Sequence, residues 1–185
     1  MSHAIRIHAY GGPDVMQWEP HDPGEPGRGE ALIRQTAVGL NFIDVYERTG
    51  LYPNALPSGL GREGAGVVEA VGPGVRGLAV GERVAYVSSQ AGSYAQRRCM
   101  AADRLVTIPD GVSDRLAAAA MLKGLTAQFL LRRTHRVRKG DVVVIHAAAG
   151  GVGLIAAQWA RHLGATVFGV VGSEAKAEFA RGHGC

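Results

Sequence analysis

The stretch that decides the fold reads VVVIHAAAGGVG at residues 142–153. Its first four residues are all β-branched, which is typical of a strand buried on both faces of a parallel sheet. A turn of small residues follows, and apolar residues then recur at helical spacing as far as Leu163, with Gly164 in the position of a C-terminal cap. A second β-branched run occupies residues 166–171. The sequence therefore predicts a strand, a helix and a second, parallel strand.

The turn between strand and helix resembles the dinucleotide fingerprint G-x-G-x-x-G, with Ala148 in the first position and Gly150 and Gly153 in the other two. Gly150 would let backbone N–H groups approach a pyrophosphate, which would rest on Gly150, Gly151 and Val152 at the start of the helix. Gly153 would let the helix pack tightly on the strand. A glycine-rich turn without a ligand is the alternative, but the flanking strands and helix favour nucleotide binding.

The end of the second predicted strand bears on which nucleotide binds. An NAD site has an acidic residue there, about 20 residues after the glycines, to bind the ribose 2′-hydroxyl. Gly172 and Ser173 carry no carboxylate that would repel a 2′-phosphate, and the Ser173 hydroxyl and the Lys176 ammonium would bind one. Glu174 argues for NAD if it points inward, and Lys176 would otherwise be an ordinary surface lysine. We expect NADPH.

Composition limits the class of protein. The 185 residues are 46% hydrophobic, enough for a core of one or two domains, and no apolar run approaches the roughly 20 residues of a membrane span. Cys99 and Cys185 form neither a disulfide framework nor a metal cluster. The net charge of +4 suits an anionic ligand but is too small to indicate nucleic acid. With no signal-peptide core at the N-terminus, we expect a cytoplasmic protein without a membrane partner.

Short strands separated by Gly and Pro characterise residues 4–109, which predicts a β-barrel or sandwich. Ser113 then caps a predicted helix over residues 114–121, and a second helix is predicted over residues 125–133, before the glycine-rich turn. Besides the alternating residues 5–9, the predicted strands are 31–38, 66–71, 83–87, 94–100 and 105–108.

Five motifs in order resemble the NADPH:quinone oxidoreductases, the zeta-crystallin-like branch of the medium-chain dehydrogenases/reductases. They are NFIDVY at 41–46, GLYP at 50–53, LPSGLG at 56–61, LKGLT at 122–126 and HAAAGGVG at 146–153. The resemblance covers essentially the whole chain. It implies a mixed α/β fold, with a GroES-like β-barrel domain over residues 1–124 followed by the first βαβ half of a Rossmann domain over residues 125–185. It also implies an active site in the cleft between the domains, and a homodimer.

The zinc ligands of related alcohol dehydrogenases are absent. Their catalytic Cys, His and Cys correspond to Asn41, Arg62 and Lys123, and their four-cysteine structural lobe is missing. We expect Arg62 to pair with Glu63 or Asp44. The resemblance therefore implies a zinc-independent reductase, which polarises an easily reduced acceptor, such as a quinone, by hydrogen bonds or charge.

The resemblance also implies the site residues. Asn41 and Tyr46 would lie beside the nicotinamide, and Tyr46 and Tyr52 would face the quinone as catalytic residues, donating O–H groups to its developing oxyanion. Thr126 and Phe129 would contact the cofactor. Ordinary half-buried tyrosines and simple helix packing remain the alternatives for these four residues.

Two further functions stay open. A 2-alkenal or enone reductase of the same architecture needs the same groups. Some zeta-crystallin-like proteins act without catalysis or bind RNA, and residues 132–139 are basic, although a solvated helix end explains that cluster better and nucleic acid binding is not expected. A complete dinucleotide fold needs two βαβ halves. The chain is therefore expected to be an N-terminal fragment that keeps the adenosine-phosphate half-site but catalyses poorly.

Overall fold

The computed structural model describes every residue from 1 to 185. Backbone contacts divide them into two compact units, Met1–Met121 and Leu122–Cys185. No helix is both long enough and apolar enough to cross a membrane. In chain order the elements are β1 (Ser2–Ile7), β2 (Met16–His21), β3 (Glu30–Val38), α1 (Phe42–Thr49), β4 (Ser58–Gly59), β5 (Glu63–Val71), β6 (Arg83–Val87), β7 (Arg97–Ala101), β8 (Val106–Thr107), α2 (Asp114–Phe129), β9 (Val142–His146), α3 (Gly151–His162), β10 (Thr166–Val170) and α4 (Glu174–Gly182).

The first unit consists of antiparallel sheets, as its short strands and glycine turns predict. One sheet has the order β2-β1-β4 and the other β7-β3-β5-β6-β8. The prediction of a strand from residue 94 is wrong at its start, because the Tyr94 carbonyl accepts the Ile5 N–H and Ala95 bridges to Ala4, so that β7 begins at Arg97. The strands β2 and β4 and the helix α1 were not predicted from the sequence. The main core of this sheet buries Ala31, Ile33, Val68, Val84, Tyr86 and Met100.

The second unit confirms the predicted strand, helix and parallel strand. β9 and β10 pair in parallel, with Val143 opposite Val167, and α3 and α4 complete the unit. Within residues 1–185 the predicted burial of β9 is found on one face only, since Val142 and Val144 are 67% and 58% exposed. Side chains alternate across a strand, and α3 covers only the face of Val143 and Ile145. The core on that face is Ala127, Leu131, Val137, Ala156, Ala157, Ala160 and Val167.

The prediction of two separate helices before β9 is also wrong. Ser113 accepts the Leu116 N–H at the start of α2, as expected, but the helix continues without a break through Gly124 to Phe129. A glycine costs about 1 kcal/mol relative to alanine inside a helix, which is too little to end one rich in alanine and leucine. The helix then widens into a π-turn over Leu130–Thr134. The predicted domain boundary after residue 124 falls inside α2.

Candidate functional site

The glycine turn of the second unit is a tight connection between β9 and α3. Ala147 has φ of 51°, which is rare for a residue with a β-carbon, and its carbonyl accepts the Gly150 N–H at 2.8 Å. A β-carbon at Gly153 would lie 2.7 Å from the Cα atom of Ala148, so only glycine allows α3 to approach the strand this closely. The close packing predicted for Gly153 is therefore present.

The first amides of α3 lie at this turn. Because the helix begins at Gly151, the N–H groups of Gly151 and Val152 have no acceptor four residues earlier within the helix. Gly150 and Gly151 are exposed and Val152 is half-buried. The turn and the neighbouring π-turn segment border a cavity of about 460 Å³. Amides with free donor capacity at a helix start, beside open space, fit a pyrophosphate.

The end of β10 lies beside the same turn, because the Ala148 N–H donates to the Val170 carbonyl at 3.2 Å. Beyond it, Ser173 is the N-cap of α4 and its hydroxyl accepts the Lys176 N–H at 3.4 Å. Gly172, Ser173 and Lys176 are therefore neighbours, and all three are exposed.

Glu174 follows the same cap but points elsewhere. Its carboxylate pairs with the guanidinium of Arg181 at 3.1 Å, seven residues along the chain, and its side chain is 85% exposed. Lys176 is thus a cation in the first turn of α4, where the helix dipole favours a negative charge instead. An anion bound beside Ser173 would relieve this unfavourable placement.

In the first unit, Asn41 opens helix α1 as its N-cap and is 6% exposed. Its backbone N–H donates to the Asp44 carboxylate at 2.9 Å, and its side-chain amide donates to Glu63 at 2.7 Å. The Tyr94 hydroxyl also donates to Asp44, at 2.7 Å. Burial raises the pKa of Asp44, and the hydrogen bonds from Tyr94 and Asn41 oppose that rise. In this structure the side-chain amide of Asn41 therefore binds the buried carboxylate of Glu63.

The prediction that Arg62 pairs with Glu63 or Asp44 is wrong. Its guanidinium binds Glu47 through both Nε, at 2.6 Å, and Nη2. Glu47 lies one helical turn beyond Asp44 on the buried side of α1, and its side chain is only 1% exposed. The Glu63 carboxylate accepts the Asn41 amide instead. Two of the positions that are expected to correspond to the zinc ligands of alcohol dehydrogenases thus carry an amide and a guanidinium engaged with buried carboxylates.

The predicted tyrosines come together on the outer side of α1. The rings of Tyr46 and Tyr52 meet edge to face with centroids 5.3 Å apart, and Phe42 packs against Tyr46 at 5.2 Å. Tyr52 is 52% exposed and Phe42 is 70% exposed. Within residues 1–185 neither phenol oxygen forms a hydrogen bond, so both are available to a ligand.

The two predicted residues on α2 have different surroundings. The Thr126 hydroxyl donates to the Leu122 carbonyl at 2.7 Å, a local helix contact that stabilises its rotamer. Phe129 is 59% exposed at the end of the helix.

Comparisons with known proteins show what the chain is similar to. A model of the alcohol dehydrogenase GroES-like domain matches residues 27–110. The quinone oxidoreductase of Pseudomonas aeruginosa is 52% identical over 100% of this chain and 57% of its own length. The chain belongs to the medium-chain dehydrogenase/reductase family. The predicted family, its GroES-like domain and the mixed α/β fold class are therefore confirmed.

Other members of the family match as well. The crystal structure of Escherichia coli quinone oxidoreductase complexed with NADPH superposes with a TM-score of 0.96 at 45% identity, over 99% of this chain and 56% of that one. The 2-haloacrylate reductase of a Burkholderia species is 50% identical over 98% of this chain and 56% of its own length. The chain thus spans little more than half the length of the family members that it matches.

The roles of Phe42 beside Tyr46 and of Glu47 beside Arg62 were not predicted from the sequence. The spacing Asn41-x-x-Asp44 followed by Gly50 would have revealed a capped helix, since Asn is favoured as an N-cap and Gly as a C-terminal stop. Such a helix places Phe42 and Tyr46 on one face and Glu47 near Asp44 on the other. No local pattern indicates that Glu47 pairs with Arg62, which lies fifteen residues away.

Proposed function

We propose that the natural protein carrying this sequence is an NADPH-dependent reductase that transfers a hydride to a quinone without a metal ion. The observation that carries the proposal is the glycine turn at the start of α3, where Gly153 packs against Ala148 and the first amides of the helix are free to bind an anion. In this assignment Gly150, Gly151 and Val152 hold the pyrophosphate. The bound dinucleotide supplies the hydride.

The choice of NADPH rests on the group beside α4. Ser173 and Lys176 offer a hydroxyl and an ammonium to a 2′-phosphate, and Gly172 leaves room beside them. The acidic residue that would support NADH, Glu174, instead forms an exposed ion pair with Arg181 in this structure. A phosphate would also place negative charge at the N-terminus of α4, as the helix dipole favours.

The acceptor is assigned to the aromatic residues of α1 and the loop after it. Tyr46 and Tyr52 present flat apolar rings to a quinone, and their hydroxyls donate to the oxygen that gains negative charge during reduction. Asn41 orients the carboxamide or a ribose hydroxyl of the cofactor, and Thr126 and Phe129 contribute further cofactor contacts. For Asn41 this requires its amide to serve the cofactor as well as Glu63. For Thr126 it requires the hydroxyl to accept a hydrogen bond while it donates to Leu122.

Polarisation without a metal ion follows from the chemistry of the residues. The amide of Asn41 and the guanidinium of Arg62 are poor zinc ligands, and both are engaged with carboxylates. The hydroxyls of the two tyrosines are then the groups that stabilise the oxyanion. We also propose that the catalytic domain extends over residues 1–124 and the nucleotide-binding domain from residue 125 onwards, in a cytoplasmic homodimer.

Reduction of an activated alkene is the second candidate. The Burkholderia relative is named a 2-haloacrylate reductase, and a hydroxyl aimed at an acceptor oxygen serves a conjugated carbonyl as well as it serves a quinone.

The RNA-binding alternative has less support. Arg133, Arg136 and Lys139 form an exposed surface near the end of the π-turn, which is the ordinary setting for cations, and His135 lies 3.4 Å from the carboxylate of Asp141.

Turnover on two acceptors tests the proposal. NADPH oxidation by the natural protein is followed with 1,4-benzoquinone and with an α,β-unsaturated ketone at matched concentrations. We expect a higher kcat/KM with the quinone, and loss of rate with either acceptor when both tyrosines are replaced by Phe. A higher kcat/KM with the ketone would establish the second candidate. Absence of NADPH oxidation with both acceptors would refute the reductase assignment.

A further inference from the structure

Arg98 is a buried cation without an acidic partner. It lies on β7 and is only 9% exposed. Its guanidinium donates to the hydroxyl of Ser93 at 3.0 Å, to the hydroxyl of Ser88 at 3.0 Å and to the carbonyl of Gln90 at 2.8 Å. Its carbon atom lies 5.5 Å from the centroid of the Tyr86 ring. All of these groups are formally neutral, so no carboxylate is hydrogen-bonded to this cation.

A guanidinium has five N–H groups, and the three bonds to the loop of residues 88–93 leave two of them unused by that loop. Burying a charge is costly unless the charge is paired and fully hydrogen-bonded. A bound anion would therefore both compensate the charge of Arg98 and accept hydrogen bonds from its guanidinium.

Arg98 lines a cavity of about 270 Å³ in the first unit. Arg6 and His21 also line it, together with the backbone of Gly92 and Gly59, and no Asp or Glu side chain does. Arg6 is held in place from outside the cavity, where its Nε lies 3.4 Å from Glu19 and its Nη2 donates to the Pro57 carbonyl at 3.1 Å. The lining of this cavity therefore includes two arginines and a histidine and no carboxylate.

Glycine brings the walls of this cavity close to the guanidinium. A β-carbon at Gly59 would lie 2.9 Å from the Cα atom of Gly92, so the two loops touch through their backbones. Gly92 has φ of 130°, a conformation that other residues rarely adopt. The loop of residues 88–93 can therefore wrap around Arg98 while the cavity stays open beside it.

We propose that this cavity binds a small oxyanion of the size and charge of phosphate, with Arg98 as its principal ligand and Arg6 as a second cation. This site is independent of the glycine turn in the second unit. Phosphate offers several acceptor oxygens to the N–H groups of Arg98 that the 88–93 loop does not use, and such charge-assisted hydrogen bonds are stronger than those between neutral groups.

The test is a titration of the chain with inorganic phosphate, followed by backbone amide NMR shifts, with sodium chloride at matched ionic strength as the comparison. We expect saturable phosphate shifts in residues 88–93 that chloride does not reproduce. Arg98→Gln should weaken phosphate binding at these residues at least about tenfold, because it removes charge-assisted hydrogen bonds. Arg115→Gln removes an exposed arginine on α2 and should leave the affinity unchanged.

Arg6→Gln covers the case in which Arg98→Gln fails to fold, since Arg6 does not bind the 88–93 loop. We expect it to weaken phosphate binding about threefold to tenfold, as the loss of one nearby cation predicts. Unchanged affinity in Arg6→Gln, equal shifts with chloride, or phosphate shifts confined to residues 150–152 would each overturn the proposal.

Discussion

A β-carbon at Gly153 would lie 2.7 Å from the Cα atom of Ala148, which places helix α3 directly against the end of strand β9. The approach is closer than any side chain allows, and it positions the first amides of α3 beside the turn. The same contact thus determines the packing of the second unit and the geometry of its proposed nucleotide site.

Gly153→Ala should therefore destabilise the second unit. We expect the free energy of unfolding to fall by about 2–3 kcal/mol, the usual cost of forcing an extra carbon into a packed contact. Urea denaturation measures the change. Gly124→Ala is the matched control, because a β-carbon there meets nothing within 4 Å and the residue is helical, so the variant should gain up to about 1 kcal/mol. Equal stabilities of Gly153→Ala and the unmodified chain would show that the contact relaxes without cost.

Loss of one partner of the Arg62–Glu47 ion pair should destabilise the protein more than loss of both partners. Arg62→Met leaves the buried Glu47 carboxylate without its cation and should lower the free energy of unfolding by about 3–5 kcal/mol. Replacing both residues, Arg62→Met with Glu47→Leu, should restore most of the loss, because no uncompensated charge remains. A double variant as unstable as the single one would contradict this account of the pair.

The buried carboxyl of Asp44 predicts a pH effect. Burial raises its pKa above the usual 3.8, so the folded state holds the proton more tightly than the unfolded state. The resulting stabilisation is complete below pH 3.8 and is lost as the pH rises through the folded pKa. Asp44→Asn cannot ionise, so it does not lose this stabilisation between pH 4 and pH 7. The free energy of unfolding at pH 7 minus that at pH 4 should therefore be more positive in Asp44→Asn than in the unmodified chain.

Urea denaturation at the two pH values checks this prediction, with Asp103→Asn as the control on the exposed surface. A change in the pH difference that appears in Asp44→Asn and not in the control assigns the effect to Asp44. A pH 7 minus pH 4 difference in Asp44→Asn that equals the unmodified one would mean that Asp44 ionises as easily in the folded protein as in the unfolded chain.

The sequence predicted the second unit well because its pattern is local. The β-branched run, the glycine turn and the helical spacing after Val152 all lie within two dozen residues, and each is read from neighbours in the chain. The exposure of Val142 and Val144 was not predictable in the same way, because it depends on what covers each face of the sheet.

The buried polar network of the first unit illustrates the opposite case. Asn41 and Glu63 are far apart in sequence, and their hydrogen bond depends on how β5 packs beside α1. The partner of Arg62 was mispredicted for the same reason. Glu63 and Asp44 were the partners predicted from the sequence. Helix α1 instead places the carboxylate of Glu47 beside the guanidinium of Arg62.

The phenol hydroxyls should act in catalysis and not in folding. Tyr52→Phe should lower kcat of the natural protein about a hundredfold, the effect of removing one oxyanion donor, with little change in KM. Because Tyr52 is 52% exposed and its oxygen has no partner in the chain, its stability should change by less than about 0.5 kcal/mol. Tyr10→Phe removes a hydrogen bond to the Asn54 carbonyl outside the proposed site and should leave kcat unchanged. A Tyr52→Phe protein with full kcat would remove this residue from the mechanism.

The most direct test of the central claim is an equilibrium titration of the chain with NADPH and NADH, repeated for Lys176→Ala and for the control Lys139→Ala. We predict tighter binding of NADPH than of NADH, and a loss of about tenfold or more in NADPH affinity for Lys176→Ala only, as expected for a charge-assisted hydrogen bond to phosphate. NADH affinity should be the same in all three proteins. Equal affinities for the two nucleotides, or an NADPH affinity unaffected by Lys176→Ala, would contradict a 2′-phosphate site at Ser173 and Lys176.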